Sequence, residues 1–393
     1  MKTNIWILNH YASDMYFDRG GRHYNFAKYL RRAGYAPVIF GANSKHGKPE
    51  RFLETDALWE ESIAEEINTP FVFVRARTYD GNGKQRVLNM IDFYCNVKKA
   101  AKEYAAQHGK PDVIFASSVH PLTLVAGIQL AKQFGVKCVC EVRDLWPESI
   151  VVYSSRFTKD NLLIRLLYRG EKWIYRKADA LVFTMEAAYD YIVERGWEKD
   201  IPRSKVYYIN NGVDLEQFDY NKEHFRVDDP DLLDTELFKM VFTGTLVTSN
   251  NIDGMLNLAK RLQKYPNMRL LIWGNGECTE AMQQRIRDEG IENVRYKGVV
   301  EKNIPRSLFL MRILTLCMRR RPACTVMAPA PINCLIIWRL AVRSCRTLPS
   351  MGILFPNMPV GFLAIGILTV WNRHLTNYIT PVRNSVPLCG RAL

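Results

Sequence analysis

The chain predicts an α/β fold with two Rossmann-like domains, the second of them incomplete. Three features carry that prediction. Strand-like apolar runs alternate with helical periodicity along the first 304 of 393 residues, which is the pattern of parallel sheets with crossover helices. The alternation stops at an acidic, aromatic-rich stretch and then starts again, as expected for two domains in a chain of this length. Near residue 305 the composition changes too sharply for an ordinary domain boundary. Residues 305–393 hold eleven Arg, nine Pro and five Cys but no Lys, Asp or Glu.

The elements follow in order. Thr3 to Tyr11 (TNIWILNHY) reads as a short buried strand. Arg22 to Ala33 carries apolar residues at helical spacing, with Gly34 as a stop signal. APVIFGAN and FVFVRAR are strands, and a helix runs from about Val87 to His108. The strand Asp112 to Ser118 leads into the helix PLTLVAGIQLAKQFG, and KCVCEVRD is a strand ending at Asp144. A long helix covers about Thr158 to Ala178, followed by the strand ALVFT, the helix YDYIVERG and a strand with a turn, Val206 to Asp214. Asp219 to Glu236 reads as an interdomain connection. The second series is KMVFTGTL, IDGMLNLAKRLQKY, MRLLIWGNGE, CTEAMQQRIRDEG and VRYKGVV. The expected domains are therefore 1–215 and 216–304, with 305–393 as a tail of a different kind. In such sheets ligands bind beyond the carboxyl ends of the strands, in a cleft.

The overall charge of +14 suggests nucleic acid at first sight. Residues 1–304, however, balance 43 basic against 40 acidic side chains, so the excess belongs to the tail. The cluster Arg319 to Arg321 lacks aromatic interleaving or a binding motif, and no nucleic-acid partner is expected. The nine Cys have neither disulfide nor zinc spacing, and Cys138 and Cys140 read as buried thiols of one strand. The N-terminus lacks the apolar core of a signal peptide, which points to the cytoplasm.

Three loops of the first domain carry candidate chemistry. Arg19 to Leu30 (RGGRHYNFAKYL) places Gly20, Gly21 and Arg22 at a helix start, where free N–H groups can meet an anion; a plain turn and cap is the other reading. His120, in SSVHPLT, stands just past a strand and before a helix, placed to exchange a hydrogen bond near a reacting centre or simply to serve the fold. Asp144, in EVRDLWPES, ends a strand in a loop bent by Trp146 and Pro147. In the second domain, Gly244 and Thr245 (FTGTL) and Gly274 and Gly276 (WGNGE) form turns at strand ends, which together favour a nucleotide-phosphate ligand.

In this order, NHYASDMYFDRGGRHYNFAKYL, SSVHPLT, RDLWPES, NNGVD, FTGTL and WGNGE resemble the family 4 glycosyltransferases of the GT-B fold, in particular bacterial polysaccharide enzymes that transfer amino sugars such as N-acetylfucosamine. The resemblance spans about residues 3–304. It implies an acceptor-binding first domain and a nucleoside-diphosphate-sugar-binding second domain, with a UDP-linked donor as substrate and no metal or other cofactor. By it, Gly20 and Gly21 approach donor phosphates or acceptor, His120 lies near the transferred sugar, and Asn211 and Gly212 lie near the hinge. The implied acceptor is a polyprenyl-diphosphate-linked saccharide, met by a protein peripheral to the inner face of the cell membrane. Domain closure would exclude water, and backbone N–H groups with basic side chains would stabilise the leaving pyrophosphate. One departure is the loop after Gly244, TLVTSNN, which has no second glycine and no Lys or Arg.

The resemblance also leads one to expect ADINLLH and then YGxSPNKLFDYMAAGKPV after residue 304, and neither is present. A reading frame shifted one base upstream accommodates both. Met327-Ala328 then forces Gly, Asn333-Cys334 forces Leu, Ile337-Trp338 allows only Met or Leu, and Trp338-Arg339 only Ala or Glu. Met311 to Met318 accommodates ADINLLH. The expectation is a frame slip between about Ile304 and Leu310, an out-of-frame tail and an inactive or impaired enzyme. Two rival classes remain at this point. One is a sugar-nucleotide epimerase of the same fold, which needs a catalytic carboxylate pair. The other is a non-enzymatic protein anchored by Thr347 to Asn372, 26 uncharged residues interrupted by Pro349, Pro356 and Pro359.

Overall fold

The computed structural model describes residues 2–81, 83–153, 157–225, 228–299 and 313–315. It divides into two compact units, the first comprising the chain up to Asp214 and the second beginning at Leu215.

In the first unit the elements are β1 (Asn4–Leu8), α1 (Ser13–Phe17), α2 (Arg22–Arg32), β2 (Ala36–Ala42), β3 (Trp59–Ala64), β4 (Thr69–Val74), α3 (Lys84–His108), β5 (Val113–Ser117), α4 (Pro121–Phe134), β6 (Lys137–Val142), α5 (Glu148–Tyr153), α6 (Leu162–Lys177), β7 (Ala180–Phe183), α7 (Ala188–Glu194) and β8 (Val206–Tyr208). Eight strands form one sheet in the order β3-β4-β2-β1-β5-β6-β7-β8. All neighbours run parallel except β3, which pairs antiparallel with β4. Parallel strands are covered on both faces, which is why β1, β2 and β5 read as apolar runs rather than as alternating patterns. Trp6 of β1 points to one face and packs with Phe40, Tyr104 and Phe134. Its neighbour Ile7 points to the other face and joins Tyr24, Ala27, Ile39 and Phe71. Cys138 and Cys140 lie buried on one face of β6, as expected from their alternation.

The sheet order reverses at β1, since the chain first builds outward through β2 and β4 and then returns to place β5 on the other side. The carboxyl ends of β1 and β5 therefore flank a topological switch point, where ligands of such sheets bind.

The second unit contains α8 (Leu215–His224), α9 (Pro230–Leu233), β9 (Phe238–Thr243), α10 (Ile252–Leu262), β10 (Met268–Trp273), α11 (Thr279–Asp288), β11 (Val294–Tyr296) and β12 (Ile313–Thr315). Its parallel sheet has the order β11-β10-β9-β12 and reverses at β9. Its core gathers Met240, Phe242, Met255, Leu256, Leu270 and Ile272.

Three expectations need correction. The segment Asp219 to Glu236 is not a bare connection, because α8 and α9 occupy much of it. Asp229 caps α9 by accepting from the Leu232 amide at 3.2 Å, with Pro230 in the first turn. Strand β3 was not anticipated. The strand ending at Asp144 closes at Val142, so Asp144 stands in the following loop. The tail 305–393, including Thr347 to Asn372 and Arg319 to Arg321, lies outside the described residues except for Ile313–Thr315, which pair with Lys239–Val241 of β9. Among the described residues no helix is long and apolar enough to cross a membrane.

Candidate active site

At the switch point of the larger sheet, His10 follows β1 and His120 follows β5. His120 occupies the N-cap position of α4, without a side-chain capping bond and with Pro121 in the first turn, and so stands at the strand-to-helix corner. His10 Nδ1 and His120 Nε2 are 2.6 Å apart, both rings almost wholly buried. His10 is stacked between Tyr11 and Phe93, at centroid distances of 4.5 and 4.4 Å. Burial lowers the His120 pKa to about 3, with the Arg86 guanidinium adding to the effect. Burial also holds His10 well below the usual imidazole range, with His120 as the next cause. Both rings are therefore neutral at pH 7, and one ring donates to the other. His120 Nδ1 is buried without a hydrogen-bond partner among the described residues. A neutral imidazole with a spare nitrogen can exchange a hydrogen bond with a sugar hydroxyl, but it cannot supply positive charge. Around this pair stand His46 and Tyr79, which are hydrogen-bonded to each other, and Tyr11, whose ring is 4.5 Å from that of His46.

A second buried network lies beside it. Glu141 of β6 accepts from Arg22 Nε at 2.8 Å, from His23 Nε2 at 2.9 Å and from Ser117 Oγ at 2.7 Å. Ser117 is its register partner on β5. Asn9 Nδ2 donates to His23 Nδ1 at 2.8 Å, which leaves the His23 proton on Nε2, facing the carboxylate. Burial opposes the Glu141 charge, but His23 and Arg22 outweigh it and hold the carboxyl at about 2. Burial lowers the His23 pKa despite Glu141. The network thus holds one buried carboxylate against one guanidinium.

Arg22 does more than neutralise Glu141. Its Nη1 donates to the Asn210 carbonyl at 2.7 Å and to Asn211 Oδ1 at 3.4 Å, and its Nη2 to the Ile209 carbonyl at 2.8 Å. Arg22 therefore ties the loop after β8, which contains Asn211, to α2 and β6. Lys28 adds a 2.7 Å ion pair to Asp214 at the end of that loop. Gly21 adopts φ +111°, and a Cβ there would lie 3.1 Å from Met15 Cγ, so the residue before α2 has to be glycine. Gly20 has no such restriction. Asp144 is exposed at the sheet's carboxyl edge.

In the smaller sheet Gly244 and Thr245 are exposed just past β9, at the point where the strand order reverses. Gly274 and Gly276 stand where two loops of this unit meet. A Cβ on Gly274 would stand 1.8 Å from the Gly244 carbonyl oxygen, and one on Gly276 would stand 2.3 Å from that of Leu246. The loop after β10 lies directly on the backbone of the loop after β9, and Leu246 N donates to the Asn275 carbonyl at 3.0 Å. These two glycines are required because backbone packs against backbone there. Among the described residues no group of three or more His, Cys, Asp or Glu is placed to hold a metal ion.

The structure brings His120 together with His10, and Arg22 with Asn211, and places Asp144 exposed in the loop after β6. Sequence reasoning gave no role to His10, His23 or Glu141. The signal was an acidic residue inside an otherwise apolar strand, KCVCEV, which needs a buried cation or donors.

Residues 22–217 match the Glycosyltransferase Family 4 profile. This stretch is a family 4 glycosyltransferase domain. Solved structures agree on the fold. An E. coli trehalose-6-phosphate protein bound with UDP-2-fluoro glucose aligns with a TM-score of 0.60 at 11% identity, over 85% of this chain and 81% of that one. The catalytic domain of starch synthase IV from Arabidopsis thaliana, bound to ADP and acarbose, aligns with 0.56 at 14% identity, over 96% and 92%. A UDP-forming α,α-trehalose-phosphate synthase from Burkholderia vietnamiensis gives 0.56 at 15% identity, over 86% and 82%. At such identities the likeness is one of fold, the GT-B plan of two Rossmann-like units. No curated protein matches the chain.

Proposed function

We propose that the chain derives from a retaining-type glycosyltransferase that moves a sugar, of the amino-sugar class, from a UDP-linked donor to a polyprenyl-diphosphate-linked saccharide in capsule, O-antigen or exopolysaccharide synthesis. The family 4 match over residues 22–217 carries this reading. Acceptor binding belongs to the first unit and donor binding to the second. His120 Nδ1, neutral and without a partner among the described residues, is the group that would meet a hydroxyl of the transferred sugar, with His10 fixing its ring. Gly20 and Gly21 leave room for a phosphate or acceptor at the α2 N-terminus. Asp144 would bind the acceptor, and Asn211 would border the site from the loop that Arg22 holds. Gly244 and Thr245 would face the donor pyrophosphate, with Gly274 and Gly276 shaping their loop. The leaving pyrophosphate would be stabilised mainly by backbone N–H groups, since the Gly244 loop brings no Lys or Arg of its own.

In the same reading the frame slips between about Ile304 and Leu310. The composition of residues 305–393 and the forced codons of the shifted frame support this. The chain as written then lacks most of the donor pocket and is inactive or nearly so. The test is to sequence the codons around Pro305, restore the frame, and assay transfer of a labelled sugar onto a polyprenyl-diphosphate-linked acceptor. Transfer by the restored chain, reduced about 100-fold or more by His120→Ala, is the expected result. An uninterrupted gene with no alternative coding, or a restored chain without transfer, would overturn the reading.

A further inference from the structure

Helix α6 has two apolar stripes where a surface helix needs one. Ile164, Tyr168, Ile174 and Tyr175 face the core and are buried. On the opposite side Leu162 and Leu166 are 79% and 59% exposed, and Trp173 is 37% exposed, while Leu163, at the flank, is 52% exposed. Positions 162, 166 and 173 fall within about 40° of one another on a helical wheel, so they form one outward strip. Arg165, Arg169 and Arg176 run along one side of that strip, and Lys177 stands on the other. No acidic side chain is exposed anywhere on the helix, whose only carboxylate, Glu171, is buried on the inward face. Among the described residues Arg165 and Arg169 form no ion pair, and Arg176 lies within the field of Asp200, which is paired with Lys172. An isolated exposed Leu needs no explanation, but two, with a Trp, on one cation-flanked strip form an apolar patch with a sign of charge attached.

We infer that the outer face of α6 is a docking surface for an anionic lipid bilayer, with the helix lying in the interface plane. The leucines and Trp173 enter the headgroup and acyl boundary, and the arginines sit among the anionic headgroups. Charge complementarity selects this occupant. A neutral apolar partner leaves the arginines uncompensated, whereas an anionic bilayer satisfies the apolar strip and its basic flank together. The surface gives the proposed lipid-linked acceptor a physical route to the protein. Its test reads the bilayer and not transfer, so the two readings fail independently.

The test is co-sedimentation of the full chain with vesicles of phosphatidylcholine, with and without 30% phosphatidylglycerol, at about 0.1 M salt, together with hydrogen exchange. Binding to the anionic vesicles only, and amide protection centred on residues 162–176, is expected. Arg165→Gln with Arg169→Gln should weaken binding about 30-fold, at about 5-fold per arginine. Leu162→Ser with Leu166→Ser should weaken it about 10-fold or more. These side chains are exposed, so both variants should keep the wild-type melting temperature, and the exchange measurement on the unmodified chain does not depend on any variant. No binding to anionic vesicles, protection elsewhere, or undiminished binding by the leucine variant would overturn the inference. So would a dimer that the leucine changes convert to monomer, which would assign the face to a second copy. Protection without vesicles that disappears on deleting residues 316–393 would assign it to the tail and overturn the inference equally.

Discussion

Replacing Arg22 with Ala would leave the Glu141 carboxylate buried with its guanidinium gone and free three carbonyl-side acceptors in the loop after β8. Breaking a buried pair from one side costs about 3–5 kcal/mol, so urea unfolding of Arg22→Ala should show a loss of that size. The pH dependence follows from Glu141. Its folded value of about 2 lies below the unfolded value near 4.3. Its ionised form therefore stabilises the fold fully above about pH 4.3, and that contribution drains away as pH falls toward 2. The stability gap between the wild type and Glu141→Gln should be constant from pH 5 to 7 and should narrow between pH 4 and 2. Gly274→Ala tests the loop contact in the second unit. It should destabilise far more than Gly290→Ala, where a Cβ meets nothing within 4 Å and only the φ of +57° costs, about 1 kcal/mol. Of these residues, His120 was legible because a strand end followed by Pro-Leu-Thr marks a helix start. Glu141 was not, since its partners come from Arg22 and His23, about 120 positions away, and chain spacing does not carry that relation.

At the scale of elements, helices α6 and α7 are joined by Glu171, which accepts from Tyr175 and Tyr191, each at 2.7 Å. Burial raises the Glu171 pKa to about 8, against the two tyrosine hydrogen bonds that favour its charge. A carboxyl raised above its unfolded value costs nothing below about pH 4.3 and costs progressively more as pH rises toward 8. Glu171→Gln should therefore raise the melting temperature at pH 8 relative to the wild type, and this gain should shrink on acidification to pH 4.5. A gain that is independent of pH would contradict the assignment. The buried parallel strands were legible as apolar runs, and α2, α4 and α10 as periodic segments closed by Gly or Lys/Arg. Strand β3 escaped because it is an antiparallel edge strand, WEESIA, in which Glu60 is exposed and its neighbour Glu61 is turned to the other face, where it accepts a hydrogen bond from Tyr104. Helix α8 escaped because only Asn221 of its ten residues is buried, so it shows almost no amphipathic pattern.

For the whole molecule, the two α/β series were readable from patterning, because each unit has its own strands and its own core. The site was readable only in outline. Reversal of strand order at β1 and at β9 is a property of topology, which no local window contains, and it is this reversal that makes the ends of β1, β5 and β9 the places where a ligand can sit. If the frame slips as proposed, a donor-binding unit is interrupted near residue 305. Isothermal titration calorimetry with a UDP-sugar tests it most directly, comparing the chain as written with the frame-restored chain. No measurable heat of binding is expected for the first and micromolar affinity for the second. Micromolar binding by the chain as written would contradict it.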